Sequence, residues 1–392
     1  MTVPTGRRAI ALVRVPSTLL LCAGLHAQNS LIVDATNGPY RTIQAAVNAS
    51  AAGDRILVRA GFYESFRIAG KGISIVADPG SVIRFGLTTT SMQPIRIDNV
   101  PSGQSCSISG LSIDYWFSFS GPTYHFLEAR SCKGTVLLDR FTMPTRPSGP
   151  AWGSAHAIDV ADCAAVSLSG VSTQTPVVLR RSQATITDSH LRTGTSWTGA
   201  LTAENSEVHV ADSVVEGTLL THGAAAHAIK ASGAVLTLYK GTSVIPIGST
   251  SYPMVITSAP SSMTADSTIG TIVTTAGWTV VTKNVFTLSV APSLVGSKSA
   301  IVVQGTGGAI APVFLSAPAS PQTFPGISGS SWMLAPAIFL GAATLGTTTG
   351  RASLTLPHSN DSRFRGVQLA YQAIEITNTG FALSNPVLHV FR

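Results

Sequence analysis

Cys106-Ser107-Ile108-Ser109-Gly110-Leu111, Val136-Leu137-Leu138-Asp139-Arg140-Phe141 and Val166-Ser167-Leu168-Ser169-Gly170-Val171 are copies of one pattern, apolar-x-x-(Ser/Asp)-x-apolar. Two more copies, Ile186 to Leu191 and Val210 to Val215, put the fourth positions at Ser109, Asp139, Ser169, Ser189 and Ser213, separated by 30, 30, 20 and 24 residues. A weaker echo runs through Leu238 to Ser243 and Thr264 to Ile269. A unit this short cannot bury its own apolar face and must stack on its neighbours. The spacing suits one coil of three short strands with loops of variable length. Stacked coils bring equivalent residues into ladders about 4.8 Å apart. The pattern therefore predicts an all-β chain dominated by a right-handed parallel β-helix.

Upstream, Ile56-Leu57-Val58, Phe66-Arg67-Ile68, Ile73-Ser74-Ile75-Val76 and Val82-Ile83-Arg84-Phe85 are short strand candidates divided by Gly, Pro, Asp and Asn turns. The one good helical period is Thr42 to Ala51, where Ile43, Ala46 and Val47 share a face. That segment reads as an N-terminal cap. From about Asn284 the repeat fades into Gly/Pro/Ala/Ser stretches holding Trp332, Leu354 to Leu356, a strand candidate at Gln368 to Ile376 and another at Val387 to Phe391. The expected organisation is a signal peptide at 1–27, a β-helix at 28–283 and a β-sandwich-like C-terminal domain at 284–392.

The signal rests on Arg7, Arg8 and Arg14 leading into an apolar run through Leu19, Leu20 and Leu21 that ends at Leu25-His26-Ala27, with cleavage expected after Ala27. The destination is then extracellular, cell-surface or periplasmic. No later stretch resembles a membrane span. Losing those three arginines lowers the formal net charge from +7 to +4, and the remaining basic residues are dispersed, so no nucleic-acid footprint is present. Cys106, Cys132 and Cys163 remain, an odd number for an oxidising compartment. Cys132 and Cys163 fall in one ladder column, where they are either an inter-coil disulfide or free inward-facing thiols.

Tyr40-Arg41-Thr42-Ile43-Gln44-Ala45-Ala46-Val47, Gly53-Asp54-Arg55-Ile56, Gly61-Phe62-Tyr63-Glu64-Ser65 and Ile73-Ser74-Ile75 together resemble the opening coil of pectin methylesterases and related members of the pectin-lyase-like superfamily. The resemblance implies the β-helix fold. The esterases' Gln-Asp-Thr segment and Gly-x-x-Asp-Phe-Ile-Phe-Gly strand have no counterpart, so no catalytic residue carries over. Gly366 to Ala373 with Leu383-Ser384-Asn385 resembles a small C-terminal β-domain of uncharacterised exported bacterial proteins, and it implies no activity.

Aligning the strands that precede the repeats produces one column of Glu128, Asp159, Arg180, Thr202 and Lys230 and another of His125, His156, Val177, Gly199 and His227. In a functional reading, Glu128 and Asp159 raise each other's proton affinity and divide acid and base roles, Arg180 holds an acidic sugar, and His125 and His156 assist or bind a metal. In the bland reading the column is a solvated face with an ordinary Asp159–Arg180 ion pair. Tyr115, Trp116 and Tyr124, with Trp152 in the next insertion, form a candidate sugar-stacking platform; the alternative is aromatic cover for the coil. No close Cys/His spacing matches a zinc site, so neither metal nor cofactor is expected. Two function classes follow. One is carbohydrate-associated binding or a cell-surface structural role, with a polysaccharide or surface glycan as partner; the other is a lyase, hydrolase or esterase acting on an acidic glycan.

Overall fold

The computed structural model describes residues 29–85, 93–114, 124–143, 155–193, 199–217, 227–245, 255–257, 260–269, 274, 278–291 and 295–391. The chain is an all-β parallel β-helix followed by a largely antiparallel β-sandwich. The long first sheet stacks eleven parallel strands from Ser30–Val33 and Arg55–Val58 to Ser261–Asp266 and Trp278–Lys283. A second sheet of eight runs from Arg67–Ala69 through Tyr124–Arg130, Ala155–Ala161 and Val177–Arg180 to Val255–Thr257. The third is made of three- and four-stranded pieces joined through Thr142, which bridges Ser112 and Ser172.

Alternation along each strand sends one set of side chains inward. In the first sheet Ile56, Ile75, Ile108, Leu138, Leu168, Ile186, Val210 and Leu238 form one unbroken ladder, every member buried. Burying each such side chain stabilises the fold by roughly 1.5–3 kcal/mol, so the ladder is a main support of the coil stack. The pairing corrects two of the expected repeats. Ala184 and Val208, not Ile186 and Val210, align with Val166, a slip of two residues. Ser189 and Ser213 therefore lie beyond the strand. There Ser189 Oγ accepts from the Val171 N–H at 3.0 Å, and Ser213 Oγ accepts from the Ser189 N–H at 3.1 Å.

The coil turns sharply because one residue at each corner adopts the left-handed region. Between the second and first sheets that corner column is Gly70, Asn99, Ser131, Asp162, Arg181, Asn205 and Gly233. Between the first and third it is Gly110, Arg140, Gly170, Asp188 and Asp212. Gly, Asn and Asp tolerate this conformation best, whereas Ser131, Arg140 and Arg181 hold it at a cost of about 1 kcal/mol each.

The helix spans Ile43–Ala49, with Thr42 as N-cap accepting from the Ala45 N–H, and it buries Ile43, Ala46 and Val47 against the first coil. It stops where Ser50 becomes extended. Lys71 Nζ donates to the Val47 and Ser50 carbonyls, satisfying its C-terminal end.

The stack of parallel coils ends with Trp278–Lys283; beyond it pairing is antiparallel, beginning with Thr287–Val290 against Lys298–Gln304, except for the short parallel pair of Ile327–Ser328 with Gly380–Leu383. The sandwich core holds Phe286, Leu288, Ile301, Val303, Val313, Leu345 and Tyr371. This domain folds back over the outer face of the first sheet. Trp332, Ala370, Leu388 and Val390 pack on Val76, Leu137 and Ala165. Arg55 donates to the carbonyls of Arg363 and Arg365, and Gln368 Nε2 donates to Ser107 Oγ at 3.0 Å. The second sheet keeps a polar outer face.

All three described cysteines are buried free thiols. Cys132 and Cys163 lie on adjacent coils, where the Ala164 N–H donates to the Cys132 carbonyl at 2.8 Å. The contact with Cys132, together with burial, holds the Cys163 thiol well above its ordinary range; burial pushes Cys106 up to about 12.

Candidate functional site

The outward positions of the second sheet form two parallel columns. One reads Arg67, Arg96, Glu128, Asp159, Val178, Thr202 and Lys230; the other, two residues on, reads Asp98, Arg130, Ala161, Arg180, Glu204 and Ser232. Glu128 and Asp159 are direct neighbours, as are His125 and His156. At the next coil the expected register needs correction, while Thr202 and Lys230 stand in the column as expected. Val178 faces Asp159, Arg180 faces Ala161, and Val177 faces Ile158 and Leu201 rather than His156 and Gly199. Arg180 still reaches Asp159 diagonally, because a slip of two residues keeps a side chain on its face.

Ion pairs knit the columns together. Arg67 Nε lies 2.6 Å from Asp98 Oδ2, and Arg96 Nε lies 3.4 Å from Glu128 Oε2. Arg130 Nη1 and Arg180 Nη1 each donate to Asp159 Oδ1 at 2.7 Å, and Arg180 Nη1 also reaches Oδ2 at 2.9 Å. Arg180 Nε donates onward to Glu204 Oε2 at 3.2 Å. Asp159 is 1% exposed at its side chain, while both arginines bound to it are 28% exposed.

That environment decides the protonation of Asp159. Burial alone would raise its proton affinity, but polar contacts from His156, Arg130 and Arg180 outweigh burial and hold the carboxyl well below the usual range. Mutual elevation of two adjacent carboxylates therefore does not operate at Asp159. Two guanidinium groups have taken the place of the shared proton.

Against Asp159 stand the two histidines, ring centroids 5.1 Å apart and planes inclined at 50°. His125 Nδ1 lies 3.2 Å and His156 Nδ1 3.7 Å from Asp159 Oδ2, and His125 Nε2 lies 3.8 Å from Glu128 Oε1. Both Nδ1 atoms are buried without a hydrogen-bond partner. Burial is the main influence on His125 and lowers its proton affinity despite nearby Asp159, so the ring is neutral at pH 7. The donor atoms of His125, His156 and Asp159 lie within 4.8 Å of one another.

Tyr115, Trp116 and Trp152 lie outside the described residues, as does the side chain of Tyr124, whose backbone pairs with Ala155. Segments 115–123 and 144–154 lead directly into the strands that carry His125 and His156. Sequence reasoning missed Arg96, Asp98, Arg130 and Glu204. The signal was the alternation itself, since Arg96-x-Asp98, Glu128-x-Arg130 and Thr202-x-Glu204 occupy successive outward positions.

No protein-family model matches the sequence, and no curated protein matches it. Among solved structures, the enzymatically active domain of tailspike protein 2 of bacteriophage CBA120 aligns over 93% of this chain and 71% of its own, at 12% identity and a TM-score of 0.28. A likeness at that score carries no argument about function. The fold rests on the parallel ladders, and the site on its own geometry.

Proposed function

We propose that the protein is exported and uses the outer face of its second sheet to engage a polysaccharide or cell-surface glycan, in a binding or structural role outside the cytoplasm. One observation carries this reading. The first sheet is covered by the C-terminal domain, while the second keeps the partly exposed guanidinium groups of Arg96, Arg130 and Arg180 on neighbouring coils. Such groups match the carboxylates of an acidic sugar chain. Tyr115, Trp116 and Trp152 precede this face in the chain and supply rings for stacking on sugars. The opening-coil resemblance supports placing the chain with the pectin-lyase-like superfamily.

Binding is favoured over acid–base catalysis because Asp159, held as an anion by two guanidinium groups, has no proton to deliver and little affinity for one to accept. The second reading is a lyase, hydrolase or esterase using Glu128, Asp159, Arg180, His125 and His156. It draws on His125, a neutral imidazole able to accept a proton beside Arg180-bound Asp159.

A panel of neutral and acidic polysaccharides, assayed for retention and for product release, separates the two. Retention without release, weakened by Trp116→Ala, is the expected result. Release abolished by Glu128→Gln or Asp159→Asn would establish the enzyme instead, and the absence of both retention and release would overturn both readings.

A further inference from the structure

We infer that His125, His156 and Asp159 form a binding site for one divalent transition-metal ion of the zinc type. The Nδ1 atoms of both rings are buried, lack a hydrogen-bond partner and approach the same carboxylate oxygen, at 3.2 and 3.7 Å. His156 is 6% exposed, so its unpartnered nitrogen has no compensation from bulk water. An ion about 2.1 Å from each donor sets neighbouring donors roughly 3–3.6 Å apart, close to the 3.2 and 3.7 Å that separate the two Nδ1 atoms from Asp159 Oδ2.

The fold explains how the site escapes the sequence. His125 and His156 are 31 residues apart, yet they pair directly in the second sheet. Asp159 follows His156 by three residues and presents Oδ2 to both rings. Close spacing along the chain, the usual zinc signature, is replaced by stacking of coils.

Neighbouring groups act on the ligands in two ways. Glu128 Oε1 lies 3.8 Å from His125 Nε2, the side on which a carboxylate orients a metal-bound imidazole. Arg130 and Arg180 fix Asp159 through Oδ1. Their positive charge works against a cation held mainly by charge, and the two-nitrogen, one-oxygen donor set disfavours Ca²⁺ and Mg²⁺, which take oxygen ligands. Selection thus falls on an ion with affinity for imidazole. Three protein ligands leave at least one coordination position for water or another oxygen ligand.

This inference does not depend on the glycan reading, and its test has no glycan in it. Untagged full-length protein, dialysed against EDTA and then freed of chelator, is titrated with Zn²⁺ in competition with a chromophoric chelator. Co²⁺ serves as the spectroscopic probe. One ion per chain is expected, with His125→Ala and His156→Ala each weakening binding by about tenfold or more. His125 is the more exposed ring, so its variant keeps the test informative if His156→Ala does not fold. Arg180→Gln removes a competing cation from Oδ2 and is expected to tighten binding. Failure of the wild type to bind Zn²⁺ at one ion per chain, or affinity unchanged in both histidine variants, would overturn the assignment.

Discussion

The outer faces of the first and second sheets belong to the same coils and obey the same alternation, yet they have opposite chemistry. Around Leu137 and Ala165 the first sheet is uncharged, with Ser107 and Ser167 flanking Leu137, and Trp332, Leu388 and Val390 cover it. Around Glu128 and Asp159 the second sheet is a lattice of ion pairs. In a β-helix the inward positions specify the fold, while the outward positions record what each face meets. The uncharged face meets its own chain. We propose that the charged face meets a ligand.

The contrast is broken most severely by placing the chemistry of one face on the other. Leu137→Asp would bury a carboxylate under the C-terminal domain and is expected to cost more than about 3 kcal/mol in urea unfolding, with loss of domain docking. A small change would mean that the domain contact is not a packed core.

Next in size is Asp159→Ala, which leaves Arg130 and Arg180 without their shared acceptor. A loss of about 3 kcal/mol is expected, since removing one partner strands the opposite charge. Because the folded state depresses the proton affinity of Asp159, its contribution is present above the unfolded value of about 3.9 and is lost as pH falls below it. Wild type should therefore lose stability below about pH 4 more steeply than the variant. Equal acid sensitivity would contradict the pairing.

His389 sharpens the comparison from the uncharged side. Burial lowers its proton affinity to about 4, so below about pH 6.5 the unfolded chain takes up a proton that the folded chain refuses. Stability is thus held above about pH 6.5 and falls as pH drops towards 4. At pH 5 the loss is about 2 kcal/mol relative to pH 7.5, and His389→Leu should remove most of that difference in paired urea titrations. An unchanged pH dependence in the variant would place the titrating group elsewhere.

Much of the coil stack was legible because hydrophobic alternation has an obvious physical cause. Ile108, Leu138 and Leu168 are apolar at matching places because they share one interior. The two-residue errors at Ile186 and Val210, and at Arg180, come from the same source. A shift of one residue would turn every side chain to the other face, but a shift of two leaves the pattern intact, so alternation alone cannot detect it. The corner residues Asp162, Arg181 and Asn205 would have fixed the register, since each occupies the same left-handed turn. At the site, the pairings of Glu128 with Asp159 and His125 with His156 were readable from the repeat. The role of Arg130 was not, because hydrogen bonds between columns depend on side-chain reach rather than spacing. The protonation of Asp159 followed from those arginines and could not be read without them.

The central claim is that the charged face of the second sheet is the ligand surface. Hydrogen–deuterium exchange of the full-length protein, with and without the polysaccharide retained best in the panel, tests it most directly. Protection concentrated in Tyr124–Arg130, Ala155–Ala161 and Val177–Arg180, with the C-terminal domain unchanged, is the predicted result. Protection confined to the C-terminal domain, or no retained polysaccharide to test, would contradict it.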